Sequence, residues 1–284
     1  MKLSIVYDRL RWEEKSLLEE ARKMGVQVEL VDAKSLVFDS REHGFNTELG
    51  DMVYIRCISH FRAQMLSATL ESIGVPCVNS HSVLERCSNK MLTTLALERG
   101  GIPTPRTLMA LSAEGVPQAA LSLGYPVVLK PLVGSWGRLV SLAKDRETLN
   151  ALVEHREELS NPLDHIYYLQ EYVRRPPRDI RAVVVGDEVA AAVYRVSADG
   201  EWRTNVARGA STEAFEPAGE LRELLVKAAD AVGGGVLGVD AMESSEGYLV
   251  HEVNGTVEFR GAQSAVQTSI PRKIVEYLVR EVKK

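Results

Sequence analysis

Short apolar runs alternating with stretches of helical spacing are the feature that most limits the fold, because strands joined by amphipathic helices build a parallel sheet with crossovers. LSIVY at 3–7 reads as a strand, and Trp12 to Met24 sets Leu17, Leu18 and Ala21 on one side at helical spacing before Gly25 ends the run. VQVELV, MVYIR at 52–56 and PCVN at 76–79 read as further strands, with a helix over Phe61 to Ile73. The first part of the chain, residues 1–88, is therefore expected to be a small α/β domain.

Beyond it the pattern changes. Ser88 can cap a helix running through Leu92, Leu95 and Leu97, which Gly100 and Gly101 end. YPVVLKP at 125–131 then enters the loop VGSWG and returns as RLVSLA, and a helix over 145–156 with the strand IYYLQEYV at 166–173 completes a second α+β unit, residues 89–173. In the remainder, 174–284, DIRAVVVG and EVAAAVYRV precede a glycine-containing loop at 205–209 and a helix over 217–232. GVLGVDAME and GYLVHEVN then read as paired strands, and a closing helix covers 262–282. The fold class is α/β with α+β parts, and no repeat or heptad run suggests a solenoid or coiled coil.

The 284 residues suffice for two or three such units with a cleft between them. A net charge of −5 argues against a broad nucleic-acid surface. Cys57, Cys77 and Cys87 lack the spacing of a zinc site or a disulfide framework. No run approaches the roughly 20 apolar residues that cross a bilayer, so neither membrane nor nucleic acid is an expected partner, and the expected location is the cytoplasm.

The candidate chemistry lies late in the chain. Asp240 in GVDAME and Glu252 in YLVHEVN lie on neighbouring strands and can converge, and Asn254 follows Glu252 at the same-face spacing of two. Three oxygen donors suit magnesium, which also takes ligands from substrate phosphates. An isolated ExN is also what the solvent face of an edge strand looks like; the apolar neighbours Val250 and Val253 favour an enclosed cleft instead.

Lys130 ends an apolar strand and Lys90 stands in CSNKMLT; each could be a surface residue, and each ammonium is a natural partner for phosphate oxygens. Gly134, Ser135, Gly137 and Arg138 follow Lys130 in a loop that is either a plain hairpin or a close-approach site for an anion. It is not a Walker loop, and no GxGxxG precedes a helix. The backbone of Gln170, Glu171, Tyr172 and Val173 could lie along an adenine edge. Arg195 ends a strand, and Arg203, Asn205 and Arg208 follow; such arginines can hold a carboxylate or a phosphoryl group.

Taken in order, NKMLT, VVLKPLVGSWG, LQEYV, RDIRAVVVG, VYR, WRTNVARGA, GVDAME and HEVNGTVEFRG resemble the ATP-grasp ligases of the RimK and LysX type over nearly the whole length. The resemblance implies a Rossmann-like pre-ATP-grasp domain (1–88), a central ATP-grasp lid domain (89–173) and a C-terminal ATP-grasp domain (174–284). It implies that Lys90 and Lys130 contact ATP phosphates, that the 133–138 loop closes over them, and that Glu171 and Val173 meet the adenine. By the same carry-over Asp240, Glu252 and Asn254 bind two magnesium ions. Arg195 and Asn205 stand beside the reacting groups, and Arg181 is assigned to substrate.

HEVNGTVEFRG, the short N-terminal domain and YIRCIS are most similar to the LysX group. That group attaches α-aminoadipate, or glutamate in a sister group, to the C-terminal glutamate of a small acidic carrier protein through an acyl phosphate. The implied pathway is lysine or arginine biosynthesis, and the implied assembly is a homodimer or homotetramer. Thr256, Phe259, Arg56 and Ser80 are candidates for the amino-acid pocket, with Glu258, Arg260 and His81 nearby. The alternatives are a RimK-type enzyme adding glutamate to a ribosomal protein and a nucleotide-binding regulatory module without turnover. A dinucleotide-dependent oxidoreductase lacks its glycine fingerprint.

Overall fold

The computed structural model describes residues 2–198, 201–204 and 210–283. In chain order the elements are β1 (Lys2–Tyr7), α1 (Trp12–Lys23), β2 (Gln27–Asp32), β3 (Phe38–Asp39), β4 (Gly44–Phe45), β5 (Met52–Ile55), α2 (His60–Ser72), β6 (Cys77–Val78), α3 (His81–Ser88) and α4 (Lys90–Arg99). There follow β7 (Thr107–Ala110), α5 (Val116–Leu123), β8 (Val127–Lys130), β9 (Ser141–Ala143), α6 (Arg146–Glu157) and β10 (Tyr167–Glu171). The last group is β11 (Arg178–Val185), β12 (Glu188–Val196), β13 (Ser211–Ala214), α7 (Gly219–Val232), β14 (Val236–Ser244), β15 (Gly247–Asn254), α8 (Arg260–Ala265) and α9 (Ile270–Val282).

Three larger sheets result, beside the two-stranded β3-β4 pair. The first, β2-β1-β5-β6, is parallel, as short apolar runs with helical crossovers require. The second, β7-β10-β8-β9, and the third, β13-β12-β11-β14-β15, are antiparallel. The middle sheet has its own core, in which Val116, Ala120 and Leu149 cover Val127, Leu129 and Leu169.

The outer sheets share theirs. Ile270, Ile274, Val275 and Leu278 of α9 pack with Leu3, Ile5 and Leu17 on one side and Val183 and Val193 on the other, so the closing helix joins the first sheet to the third. Val83 and Leu97 of α3 and α4 sit in the opposite core of the third sheet with Leu225, Leu237 and Val253. By packing, α4 thus belongs with the third sheet, although the chain division at 89 groups it with the middle one.

Several local expectations change. Ser88 ends α3 and is not a cap; Asn89 caps α4, its Oδ1 accepting from the amides of Met91 and Leu92 at 3.0 and 3.3 Å. The closing helix is two helices, because Ser269 caps a new start with Pro271 in its first turn. The hairpin strands β3 and β4, the edge strands β7 and β13, and helices α3 and α5 escape the sequence reading.

Candidate active site

The floor of the site is one face of the third sheet. Along β11 the odd-numbered side chains point the same way: Val183 and Val185 are buried under α9, while Asp179 and Arg181 lie toward the middle sheet. Register then lines charges up across four strands. Asp179 faces Arg195 on β12, Arg181 faces Asp240 on β14, and Asp240 faces Glu252 on β15. Asn254 follows on the same face, where its Nδ2 lies 3.5 Å from the Gly238 carbonyl.

These charges bond to one another. Arg195 donates to both Asp179 oxygens at 2.8 and 2.7 Å and lies 3.1 Å from Asp240, while Arg181 grips Asp240 with two nitrogens. Thr204 donates to Asp179 as well. Burial alone would raise the pKa of Asp240, but Arg181 and Arg195 outweigh it and hold the group down at about 2. Against the cost of burial, Asp240 and Asp179 likewise hold Arg195 firmly protonated.

The roof comes from the middle sheet and its loops. Lys130, at the end of β8, is 8% exposed. Its ammonium donates to Gln170 Oε1 at 2.6 Å, and Gln170 in turn donates to Thr107 and Tyr168 at 3.0 and 2.9 Å. Burial pushes the Lys130 pKa down to about 8, only partly resisted by Glu252. Lys90, the first residue of α4, donates to the Gly134 carbonyl at 2.8 Å and stands 3.7 Å from Glu252, so it links the glycine loop to the floor. At the loop tip Trp136 donates to Glu258 at 3.3 Å, and Arg138 lies over the Trp136 ring.

Floor and roof face each other across a cleft that opens to solvent. Among the residues assigned from sequence, Lys90, Lys130, Gly134, Ser135, Gly137, Arg138, Gln170, Glu171, Tyr172, Val173, Arg195, Asp240 and Glu252 line it. Tyr172 and Val173 lie past the end of β10, where the chain leaves the sheet. Asn254 and Arg181 lie just outside the lining, and Asn205 and Arg208 lie outside the described residues.

Three of the four pocket assignments have structural roles in the fold, and the fourth, Thr256, lies outside the lining as Asn254 and Arg181 do. Arg56 is wholly buried; it bonds Glu14 at 3.1 Å and the Val257 carbonyl at 2.8 Å, which makes it a brace between the first sheet and the 257–259 segment. Phe259 is a core residue packed edge-on against Trp12. Ser80 caps α3 through the Val83 amide. Thr256 is half-buried and is not among the residues that line the cleft. Of the neighbouring candidates, His81, the first residue of α3, bonds Ser67 and the Gln64 carbonyl of α2, and Glu258 bonds Arg11 and the loop tip. Glu258 and Arg260 are exposed.

Among the lining residues that the sequence reading did not single out, Asp179 and His251 are the two that titrate. Asp179 orients Arg195, and the alternation in RDIR could have placed it on the charged face. His251 comes from a bulge: Asp240 pairs with Glu252 but Ala241 pairs with Val250, so residue 251 has no opposite number and joins Glu252 on the cleft side. Two adjacent polar residues between inward-facing valines are the signal for it. Both ring nitrogens are buried without a hydrogen-bond partner among the described residues. Burial, then the charge of Lys130, press its pKa well below the ordinary histidine value.

The donors present fit magnesium. Asp240 and Glu252 are paired carboxylates on one face, and no cluster of three or more His, Cys, Asp or Glu able to hold a metal occurs among the described residues. A hard cation there needs oxygen from Asn254 or from a bound phosphate as well.

Residues 87–278 match the RimK-like ATP-grasp domain, and residues 3–86 match the LysX preATP-grasp domain. The chain is 40% identical over 275 residues to an alpha-aminoadipate–LysW ligase, LysX, of Saccharolobus solfataricus, covering 96% of this chain and 99% of that one. It is 36% identical to a glutamate–LysW ligase, ArgX, of Sulfurisphaera tokodaii, covering 98% of each. In structure it resembles a RimK-domain ATP-grasp protein of Sphaerobacter thermophilus, with a TM-score of 0.82 at 24% identity over 98% of this chain and 99% of that one. With both parts of the chain matched and relatives aligned over nearly their full length, the chain belongs to the RimK-like ATP-grasp family, with a LysX-type preATP-grasp domain at its N terminus.

Proposed function

We propose that this chain is an ATP-dependent carboxylate–amine ligase that joins an amino acid to the C-terminal glutamate of a LysW-type carrier protein in lysine or arginine biosynthesis. The observation that carries the reading is the cleft itself: two lysines, a glycine loop, two paired carboxylates and a buried arginine converge there. α-Aminoadipate is the preferred substrate, because the 40% identical relative is named for it; the ArgX relative, named for glutamate, is 36% identical. The two differ by one methylene, worth only about 1–3 kcal/mol in a pocket, so acceptance of both is part of the proposal.

A carboxylate is a poor electrophile. In the first step one of its oxygens attacks the γ-phosphorus of ATP and ADP leaves, giving an acyl phosphate. The amino group, having lost its proton, then attacks the acyl carbon, and phosphate departs with the carbon–oxygen bond. No side-chain nucleophile is needed, and catalysis reduces to positioning and charge stabilisation.

In this reading Lys130, held straight by Gln170, and Lys90, tied to the glycine loop, bind the triphosphate, while Glu171 to Val173 border the base. Arg195, fixed by Asp179, stands over the reacting groups with Asn205, and Arg181 serves the substrate carboxylate. Asp240, Glu252 and Asn254 are the candidate holders of two magnesium ions, which when bound neutralise phosphate charge and polarise the γ-phosphoryl group. A soluble cytoplasmic homodimer or homotetramer completes the proposal, and no helix of the described residues is long and apolar enough to cross a membrane.

The test is direct. Purified protein is incubated with ATP, magnesium, a LysW-type carrier and either α-aminoadipate or glutamate, and the carrier is weighed by mass spectrometry. A mass gain equal to one amino-acid residue supports the proposal. An unmodified carrier, with a ribosomal protein tail extended by glutamate in a parallel reaction, would establish the RimK-type alternative.

A further inference from the structure

His251 lines the cleft, its side chain is half-buried, and no step above uses it. Both its nitrogens are shut away from solvent and neither has a partner among the described residues. Two unpaired buried nitrogens are costly, so the site is built for something that bonds them.

Position limits what that is. Along β14, Asp240 stands at the phosphate end of the cleft, opposite Glu252, and Met242, paired with Leu249, lines it farther along the strand. The bulge puts His251 between these two points. At one end are Lys90, Lys130 and the paired carboxylates; at the other, Tyr172 and Val173 leave the middle sheet. With base and triphosphate at those two ends, the sugar crosses the gap where the imidazole stands.

Chemistry limits it further. A neutral imidazole carries one N–H donor and one bare acceptor nitrogen. A phosphate oxygen satisfies only the donor, and Lys130, Arg175 and Arg195, which also line the cleft, already offer donors to phosphate. A hydroxyl both donates and accepts. Asp179 comes within 3.9 Å of Nε2, beyond hydrogen-bond reach, and its carboxylate is already engaged by Arg195 and Thr204.

We infer that His251 hydrogen-bonds the ribose hydroxyls of the bound nucleotide and is the residue by which this cleft reads the sugar. The inference rests on the assignment of the cleft to ATP. It gives the bulge a purpose, since regular pairing would send residue 251 to the opposite face from Glu252.

The experiment is a calorimetric titration of the whole protein with ATP, 2′-deoxy-ATP and 3′-deoxy-ATP, for wild type, His251→Leu and His251→Asn. Thermal melts establish that each variant is folded. Wild type is expected to bind at least one deoxynucleotide roughly 5- to 30-fold more weakly than ATP, as loss of one or two hydrogen bonds requires. His251→Leu should bind ATP weakly by a similar factor and no longer distinguish the three ligands. His251→Asn, which keeps a donor and an acceptor, should regain part of the distinction, and it carries the comparison if the leucine variant fails to fold. Equal binding of all three nucleotides by wild type, or undiminished discrimination by the variants, overturns the inference while leaving the ATP site intact. Absence of ATP binding by wild type would overturn the nucleotide assignment as well.

Discussion

Replacing Gln170 by leucine isolates the device that aims Lys130. In the native protein the ammonium, 8% exposed, has the Gln170 carbonyl at 2.6 Å. Leucine removes that acceptor and leaves a buried cation short of a partner. A hydrogen bond to a charged group is worth about 1.5–3 kcal/mol. The two donors lost with it matter less, because Thr94 and Thr107 still reach the Tyr168 hydroxyl at 2.8 and 3.4 Å. The free protein should therefore lose about 1.5–3 kcal/mol, a fall in Tm of roughly 3–5 °C for a chain of this size. With saturating ADP and magnesium, a phosphate oxygen becomes the missing acceptor, and the gap between variant and wild type should narrow. The assay is scanning calorimetry with and without nucleotide. An unchanged Tm in the free variant, or a gap indifferent to nucleotide, would refute the argument that Gln170 holds Lys130 for a phosphate.

Three further outcomes follow from the same geometry. Burial holds the folded-state pKa of Lys130 at about 8 against an ordinary 10.5, so the unfolded chain binds more protons between those values. Stability from this group should rise with pH across that window, while nucleotide binding above about pH 8 should take up a proton and weaken; Lys130→Met should abolish both effects in pH-dependent calorimetry. Arg56→Met breaks a fully buried pair and should cost about 3–5 kcal/mol in denaturant titration, yet leave the amino-acid KM of the folded fraction unchanged; a raised KM would restore Arg56 to the substrate pocket. Glu252→Gln should lower kcat for carrier ligation on the order of 100-fold while the melting curve stays close to wild type, and wild-type turnover would remove Glu252 from the metal set.

Strand pairing was legible because its cause is local. GVDAME and YLVHEVN carry alternating apolar positions and a short turn, and the register they adopt sets Asp240 against Glu252 as anticipated. The same holds for Lys130, whose apolar strand leaves no other way out of the core. Misread positions share a different cause. Arg56, Phe259 and Ser80 look functional in one dimension, but their roles depend on segments some 200 residues away or on a helix the hydrophobic pattern did not announce: Arg56 reaches the Val257 carbonyl, Phe259 meets Trp12, and Ser80 caps α3. The closing segment was read as one helix because its apolar spacing continues through 266–269, where capping chemistry at Ser269 overrides it. His251 was hidden because a bulge shifts side-chain parity, and parity is what a strand reading assumes.

The central claim is that Asp240 and Glu252, with Asn254 beside them, turn a nucleotide cleft into a metal–nucleotide site. In the free protein Asp240 is held by Arg181 and Arg195, so the ion must take over a carboxylate already engaged. Calorimetric titration of ADP into wild type, Asp240→Asn and Glu252→Gln, each with and without magnesium, measures this. The account predicts that magnesium tightens ADP binding to wild type and does little for either variant, while metal-free binding persists in all three. Equal ADP affinity in wild type with and without the ion would contradict it.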